Sequence, residues 1–342
     1  MKYTSIRPGK EWLDTDGNLI QAHGGSVMYY NGKYYWYGEN KEKTVSEKII
    51  WHWGVRMYSS TDLYNWKSEG IVCQPEPEDE QSPLHPNSKM DRPHILYNKR
   101  TGKFVMWMKI MGADEVQFMS VAVADKITGP YKLVNKKLHP CGMSSGDFDL
   151  FEDEDKAYII FERVHSDMII MELTYDYLDV TDKYSVHFPR KCPPFVREAP
   201  AVFKKDGKYY MFTSGTTGKF PNPSEVAVSD SMHGDWKVLG DPHVDDEKHT
   251  SFDSQISCVF KVEGKDMYIA AADRWLMDLP EEMPDICKIF ECMFDKTAEY
   301  EYADFPIDTL TEKNTSIARY VWLPVEFENG VPCIRWNDEW HI

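Results

Sequence analysis

Short runs of apolar and aromatic residues alternate with turn-forming residues along the whole chain, and five pairs of these runs share one pattern. In the first pair the run SVMYY is followed by Asn31-Gly32-Lys33 and then by YYWY. An Asn-Gly or Asp-Gly step between two such runs is a strong signal for a β-hairpin. We predict the five hairpins at residues 25–37, 93–107, 148–160, 201–212 and 256–270.

Further strand-like runs follow several of these hairpins, at residues 56–60, 121–124 and 225–229. A unit of about four strands that recurs at roughly fifty-residue spacing is typical of a propeller blade. Five copies predict an all-β fold, a five-bladed β-propeller that forms a single domain over residues 1–342. A β-sandwich would also contain many short strands, but it would not repeat the same turn chemistry at blade spacing.

Three segments depart from the repeat. Residues 73–90 are rich in proline and acidic residues, and we expect a loop between the first two blades. Residues 276–288 contain Pro280 and Pro284 and are expected to form a rim loop or a lid. The C-terminal residues 319–336 are strand-like again and are expected to help close the ring, because a propeller joins its last blade to its first.

Composition narrows the classes of partner. The formal net charge of −17 argues against nucleic acid and anionic membranes, and it fits a neutral ligand. The seven cysteines are scattered without zinc spacing, which predicts mostly buried, reduced thiols. The first residues, MKYTSIRPGKEW, lack an apolar leader, so we expect a cytoplasmic protein, or an extracellular one if a leader has been removed.

The candidate chemistry lies where each hairpin begins. In a propeller these entrances converge at one end of the central channel, although they are far apart in sequence. Converging carboxyl groups shift one another's pKa and can keep one of them protonated, as glycoside hydrolysis requires. For a single aspartate the alternative is a cap on its own turn, and Asp149 and Asp253 fit that alternative. The entrances carry His23, Asp91 with Arg92, Asp147, Glu198 and Gln255.

The sequence predicts neither a metal ligand set nor a required cofactor. His23 is a candidate metal ligand, but no second ligand stands at a suitable spacing. The central channel nevertheless leaves room for a structural cation, such as calcium, held mostly by water.

Several segments resemble glycoside hydrolase family 43, and most of all its exo-β-1,3-galactanase branch. The more specific ones are QAHGGSVMYYNGKYYWYGENK near the start and VWLPVEFENGVPCIRWNDEW near the end. DRPHILYN, REAPAVFKKDGKYYMFTSG and FDSQ extend the resemblance over nearly the whole chain. It implies an inverting, exo-acting glycoside hydrolase that releases terminal galactose from β-1,3-linked galacto-oligosaccharides. Residues 1–342 include no carbohydrate-binding module, so we expect short oligosaccharides as substrates instead of a polymer.

The resemblance also implies roles for individual residues. Glu198 would be the general acid, and Asp147 would orient it and tune its pKa. The aspartate base that most of the family has at the first entrance is missing, so Gln255 would hold the attacking water, helped by an imidic tautomer. Asp91 stands where the branch has glutamate, and it would assist Gln255. The predicted sugar-binding residues are His23, Arg92, Asn222 and Trp275.

Two alternatives stay open at this point. Within the same family, an α-L-arabinofuranosidase or another exo-glycosidase would share the fold and the acid. In a different class, a non-catalytic carbohydrate-binding propeller is favoured by the missing base and opposed by the retained Glu198 and Asp147.

Overall fold

The computed structural model describes residues 2–45, 50–112, 114–300 and 314–342. Its strands form five antiparallel sheets of four strands each, and in each sheet the strands follow one another in chain order. Blade one contains β1 (His23–Tyr30), β2 (Lys33–Glu39), β3 (Val55–Ser60) and β4 (Lys67–Cys73). Blade two contains β5 (Lys89–Asn98), β6 (Lys103–Met111), β7 (Gln117–Ala124) and β8 (Lys132–Leu138). Blade three contains β9 (Ser145–Asp153), β10 (Lys156–Arg163), β11 (Asp167–Leu173) and β12 (Val180–His187).

Blade four contains β13 (Arg197–Lys205), β14 (Lys208–Gly215), β15 (Glu225–Ser229) and β16 (Lys237–Gly240). Blade five contains β17 (Gln255–Lys261), β18 (Tyr268–Arg274), β19 (Arg319–Glu328) and β20 (Val331–Ile334). The first strand of each blade contacts the first strands of the two neighbouring blades around a central channel. The fold is therefore a five-bladed β-propeller, and the fold prediction is confirmed.

The turn residues explain why the five hairpins could be predicted. Asn31 and Gly32, which join β1 to β2, have φ angles of 49° and 81°. Asp206 and Gly207, which join β13 to β14, have φ angles of 52° and 79°. A tight hairpin turn of this kind needs left-handed backbone at both central residues, which Asn, Asp and Gly tolerate best.

Aromatic packing joins the last blade to the first. The Trp36 ring of β2 lies 4.5 Å from the Trp322 ring of β19, and Trp12 packs against both of them. β19 and β20 complete blade five, and beyond them Trp340 pairs with Ile6 through backbone hydrogen bonds. The C-terminal strands therefore belong to blade five, and the chain ends meet at the seam between blades one and five.

The predicted rim segment folds over one side of the propeller. It contains the single described α-helix, α1 (Ile286–Phe294), which begins at a capping Asp285. We call residues 276–295 the strap. Its buried residues Leu276, Ile286 and Ile289 form a small apolar cluster with Phe220 of blade four. At its far end, Phe294 packs against His165 of blade three with ring centroids 4.9 Å apart.

All seven cysteines are free thiols, four of them buried. In the described part of the chain, no helix is both long and apolar enough to cross a membrane.

Candidate active site

The site is built from both strands of each inner hairpin. Because the strands are antiparallel, the end of the second strand lies beside the start of the first. The cross-strand partners at the channel mouth are His23 with Glu39, Asp91 with Lys109, Glu198 with Ser214, and Gln255 with Asp273.

The register of every inner hairpin shifts near this mouth. In blade four the shift lies between Glu198 and Ala201, and Ala199 has a φ of 51°. In blade two it lies between Asp91 and His94, and Arg92 has a φ of 50°. Such β-bulges redirect side chains beside functional sites. Here they turn the residues at the entrances out of the regular strand alternation.

Glu198 has the surroundings expected of a general acid. Its Oε1 accepts a hydrogen bond from Gln255 Nε2 at 3.1 Å. Burial raises its pKa well above the ordinary value, and the negative charges of Asp147 and Glu162 raise it further, against Arg92 and Lys109. A carboxyl group that stays protonated at neutral pH can give its proton to a leaving oxygen.

Asp147 lies beside Glu198 and is held by two cations. Its Oδ2 accepts a hydrogen bond from Arg92 Nε at 2.7 Å, and its Oδ1 lies 3.7 Å from Lys109 Nζ. The two cations fix the Asp147 carboxylate in position, where its negative charge acts on Glu198.

Gln255 connects three blades through its amide. Nε2 also donates to Ser214 Oγ at 2.9 Å, while Oε1 accepts from Arg92 Nη2 at 3.0 Å and from Trp275 Nε1 at 3.4 Å. These contacts use both donors and both acceptor positions of the amide, so its orientation is determined.

Asp91 is a strongly held anion. Oδ1 accepts from Trp51 Nε1 at 2.6 Å, and Oδ2 accepts from Lys109 Nζ at 2.8 Å. Burial opposes ionisation, but Lys109 and Lys41 outweigh it and lower the pKa of Asp91. A carboxylate stabilised in this way is a weak base.

The four predicted sugar-binding residues stand in different relations to the network. Arg92 and Trp275 contact Gln255, as described above. His23 has no exposed surface: its Nδ1 lies 3.0 Å from Asp273 Oδ1 and its ring stacks on Tyr320. Asn222 uses its amide to hold Gly215 and Thr217, at the edge of a rim cavity of about 880 Å³. The His23 ring also lies 5.8 Å from that of Trp275, and Asn222 borders the rim cavity, so sugar binding by these two residues stays a prediction.

Sequence reasoning missed a second set of charged residues. Glu39 accepts a hydrogen bond from the Arg92 backbone N–H at 3.2 Å and pairs with the buried Lys41 at 2.7 Å. Burial raises the pKa of Glu39 to about 7, with Lys41 opposing the shift. Lys109 and Glu162 come from β6 and β10. A signal was present, because Glu39, Lys109 and Glu162 each stand near the end of an otherwise apolar strand.

Aromatic rings and a lysine from a loop form the walls of the site. The Lys219 ammonium lies 4.3 Å from the Trp51 ring centroid and 5.4 Å from that of Trp275. The loop that carries Lys219 is held by the strap, since Phe220 packs against Phe290 at 6.3 Å. The strap therefore supports the wall on the side of blades four and five.

Deeper in the channel lies another buried carboxyl group, Asp149. Its two oxygens accept backbone N–H groups from Leu150 at 2.8 Å and from Val202 at 2.7 Å. Burial raises the pKa of Asp149 to about 7 and lowers that of the nearby His94 to about 4, so the two groups do not form an ion pair near neutral pH. Asp149 borders a cavity of about 380 Å³ lined by the inner strands of all five blades.

Within the described ranges, no group of three or more His, Cys, Asp or Glu residues is arranged to hold a metal ion. The channel cation considered from sequence stays a prediction.

Comparisons with known proteins agree on one family. The sequence model of glycosyl hydrolases family 43 matches residues 20–274. A family 43 β-1,3-galactosidase structure is 33% identical and covers 100% of this chain, with a TM-score of 0.81; this chain spans 64% of its length. A second β-1,3-galactosidase, solved with galactodeoxynojirimycin, is 33% identical, covers 98% of this chain and 100% of its own, and has a TM-score of 0.79. A Phanerochaete chrysosporium exo-β-1,3-galactanase solved with β-1,3-galactotriose is 25% identical, covers 99% of this chain and 68% of its own, and has a TM-score of 0.79. No curated protein matches the chain.

Proposed function

The chain belongs to glycosyl hydrolases family 43, and from that premise we propose that this glycoside hydrolase is an exo-acting, inverting enzyme that releases terminal galactose from β-1,3-linked galacto-oligosaccharides. The observation that carries the proposal is the hydrogen-bonded network around Glu198. In it Glu198 and three further residues meet from four blades: Asp147, Arg92 and Gln255. The sugar and the linkage are supported by the similar structures, which are named as β-1,3-galactosidases or exo-β-1,3-galactanases.

In the proposed reaction Glu198 gives its proton to the oxygen of the leaving sugar as the bond to the anomeric carbon breaks. Asp147 orients Glu198 and disfavours its ionisation. Water attacks the anomeric carbon from the opposite face, and Gln255 holds that water. Asp91 is ion-paired with Lys109 and hydrogen-bonded to Trp51, so it acts as an acceptor for polar groups of the sugar or water and not as the base.

The contact between Gln255 and Glu198 has a consequence for binding. The acid and the water-activating group of inverting glycosidases are about 6.5–9.5 Å apart. In this structure Gln255 Nε2 is 3.1 Å from Glu198 Oε1, so a bound sugar has to separate the two side chains. The proton that the attacking water loses passes to solvent, and Glu198 takes up a proton from solvent once the product has left and the contact re-forms.

The walls of the site favour action at a chain end. Trp51 and Trp275 form part of the walls, and the Lys219 ammonium lies over both rings, 4.3 Å and 5.4 Å from their centroids. The strap closes the side of blades four and five. A site closed on one side admits a terminal residue more readily than the middle of a chain.

A panel of glycosides tests the proposal. We expect the wild-type enzyme to release galactose from β-1,3-galactobiose and β-1,3-galactotriose, measured by chromatography of the products. Nitrophenyl β-D-galactopyranoside and nitrophenyl α-L-arabinofuranoside are the comparison substrates. Release of arabinose without any release of galactose would overturn the substrate assignment in favour of an α-L-arabinofuranosidase.

A further inference from the structure

Glu162 is a buried acid that has no cation of its own. Its side chain is 3% exposed, and Oε1 accepts the backbone N–H of His165 at 2.7 Å. Within the described residues, no Lys or Arg nitrogen lies within 4.0 Å of its carboxyl oxygens. Burying a carboxylate without a paired cation costs free energy, so its presence requires an explanation.

The carboxyl group of Glu162 is pressed against the backbone that carries Asp147. A Cβ atom at Gly146 would lie 2.1 Å from Glu162 Oε2, so the absence of a side chain at Gly146 makes the space that the carboxyl group occupies. Gly146 has no positive φ that would call for glycine on conformational grounds. We infer that glycine is needed at position 146 to make room for the Glu162 carboxyl group. The close contact places a second acid directly behind Asp147.

We propose that Glu162 is a positioning residue whose negative charge, held behind Asp147, keeps the carboxyl group of Glu198 protonated. The proposal rests on the proposed role of Glu198 as general acid. Nothing in this placement requires Glu162 to touch the substrate, since it acts through the charge it presents to Glu198.

The electrostatics agree with this placement. The charges that act most strongly on Glu198 are those of the acids Asp147 and Glu162 and of the cations Arg92 and Lys109, and Arg197 on the same strand also interacts with it. Burial, with Asp147 adding to it and Lys109 opposing it, raises the pKa of Glu162 to about 7. Carboxyl groups this close disfavour one another's ionisation. Asp147 pairs with Arg92, and Lys109 is shared between Asp91 and Asp147, whereas no ion pair joins Glu198 or Glu162 to a cation within the described residues.

The turn that fixes Glu162 is also held by the strap. His165, which donates its N–H to Glu162, has a φ of 57°. Its ring packs edge-on against Phe294 of α1. The strap thus fixes the turn that orients Glu162, in addition to supporting the wall near Lys219.

The variant Glu162→Gln tests the proposal. Glutamine has the same size and keeps an oxygen for the His165 N–H, so only the charge is lost. Without that charge the pKa of Glu198 falls, and the acid ionises at a lower pH. We expect the basic limb of the pH profile of kcat/KM to move to lower pH by on the order of one unit. Glu162→Asp, which keeps the charge, should retain most of the wild-type limb.

An unchanged basic limb in Glu162→Gln, with an unchanged melting temperature, would overturn the proposal. The profile is measured on whichever glycoside the wild-type enzyme hydrolyses, so an error in the sugar assignment does not affect it. Carbon NMR titration of the Glu198 carboxyl group, identified by the signal lost in Glu198→Gln, gives the same pKa without turnover. A Glu198 pKa that is identical in wild type and Glu162→Gln would equally contradict the proposal.

Discussion

Glu198 and Asp149 are carboxyl groups on the inner strands of neighbouring blades; Glu198 is half-buried, Asp149 is buried, and both have raised pKa values. They differ in the hydrogen-bond donors and the charged groups that surround them. Each oxygen of Asp149 accepts a backbone N–H, one from its own strand and one from blade four. Glu198 accepts a hydrogen bond from the neutral amide of Gln255 and lies beside two further acids. Burial alone therefore does not identify an acid catalyst. The acid is distinguished by neighbours that disfavour its charge at a place a substrate can reach.

This difference also separates a structural role from a chemical one. The sequence offers a cap on its own turn as the alternative role of Asp149; in the structure it lies within β9 and accepts the backbone N–H of Leu150. The additional bond to Val202 ties blade three to blade four. Substitutions at the two sites should accordingly affect different measurements.

The largest effect is expected from Glu198→Gln. The amide cannot donate a catalytic proton, so kcat on galacto-oligosaccharides should fall by about 10³-fold or more. The loss should be smaller on a nitrophenyl glycoside, whose leaving group needs less protonation. Steady-state kinetics on both substrates measures the difference. Wild-type rates on the oligosaccharide would place the acid elsewhere.

A smaller loss is expected from Gln255→Ala. This change removes the group proposed to hold the attacking water, and it also removes the hydrogen bond to Glu198. We expect kcat to fall by about 10²-fold, in the range seen when one preorganised polar group is deleted from an active site. Binding of galactose, measured by calorimetry, should change much less. A variant with unchanged kcat would exclude Gln255 from the reaction.

The smallest effect on activity is expected from Asp149→Asn, which should instead reduce stability. Asparagine has one acceptor oxygen for two backbone N–H groups, so the free energy of unfolding should fall by about 1–3 kcal/mol while kcat stays close to wild type. Chemical denaturation and kinetics measure the two quantities. A large loss of kcat without a loss of stability would show that Asp149 belongs to the site.

The same residue has a defined pH dependence. Because the pKa of Asp149 is raised in the folded state to about 7, its contribution to stability is fully present below the unfolded pKa of about 4 and is lost as the pH rises through 7. As the pH rises from 4 to 7, the free energy of unfolding should therefore fall less for Asp149→Asn than for the wild type. Denaturation series at several pH values in this range measure the difference.

The regular part of the molecule could be predicted because its signals are local. Turn residues such as Asn31-Gly32 and strand alternation identify each hairpin without knowledge of the rest of the chain. The convergence of Asp91, Asp147, Glu198 and Gln255 followed from the fold alone, once five hairpins were assigned to one ring.

The missed residues depend on contacts that are not local. Glu39, Lys109 and Glu162 reach the site because the second strand of each hairpin returns to the same mouth, and because bulges at the entrances redirect the side chains. The burial of His23 could not be predicted, because Asp273 and Tyr320, about 250 and 300 residues later, enclose it. The sequence predicts the strap only as an irregular segment. Its helix could not be predicted, because it is stabilised by an apolar cluster that includes a residue of blade four.

The most direct test of the central claim is the anomer that appears first. Proton NMR would follow the wild-type enzyme acting on β-1,3-galactotriose during the first moments of the reaction, before the free sugar equilibrates. The proposed attack of water opposite the bond that Glu198 protonates predicts that galactose appears first as the α-anomer and only later as the β-anomer. Initial release of β-galactose would contradict the inverting mechanism and the roles given to Glu198 and Gln255.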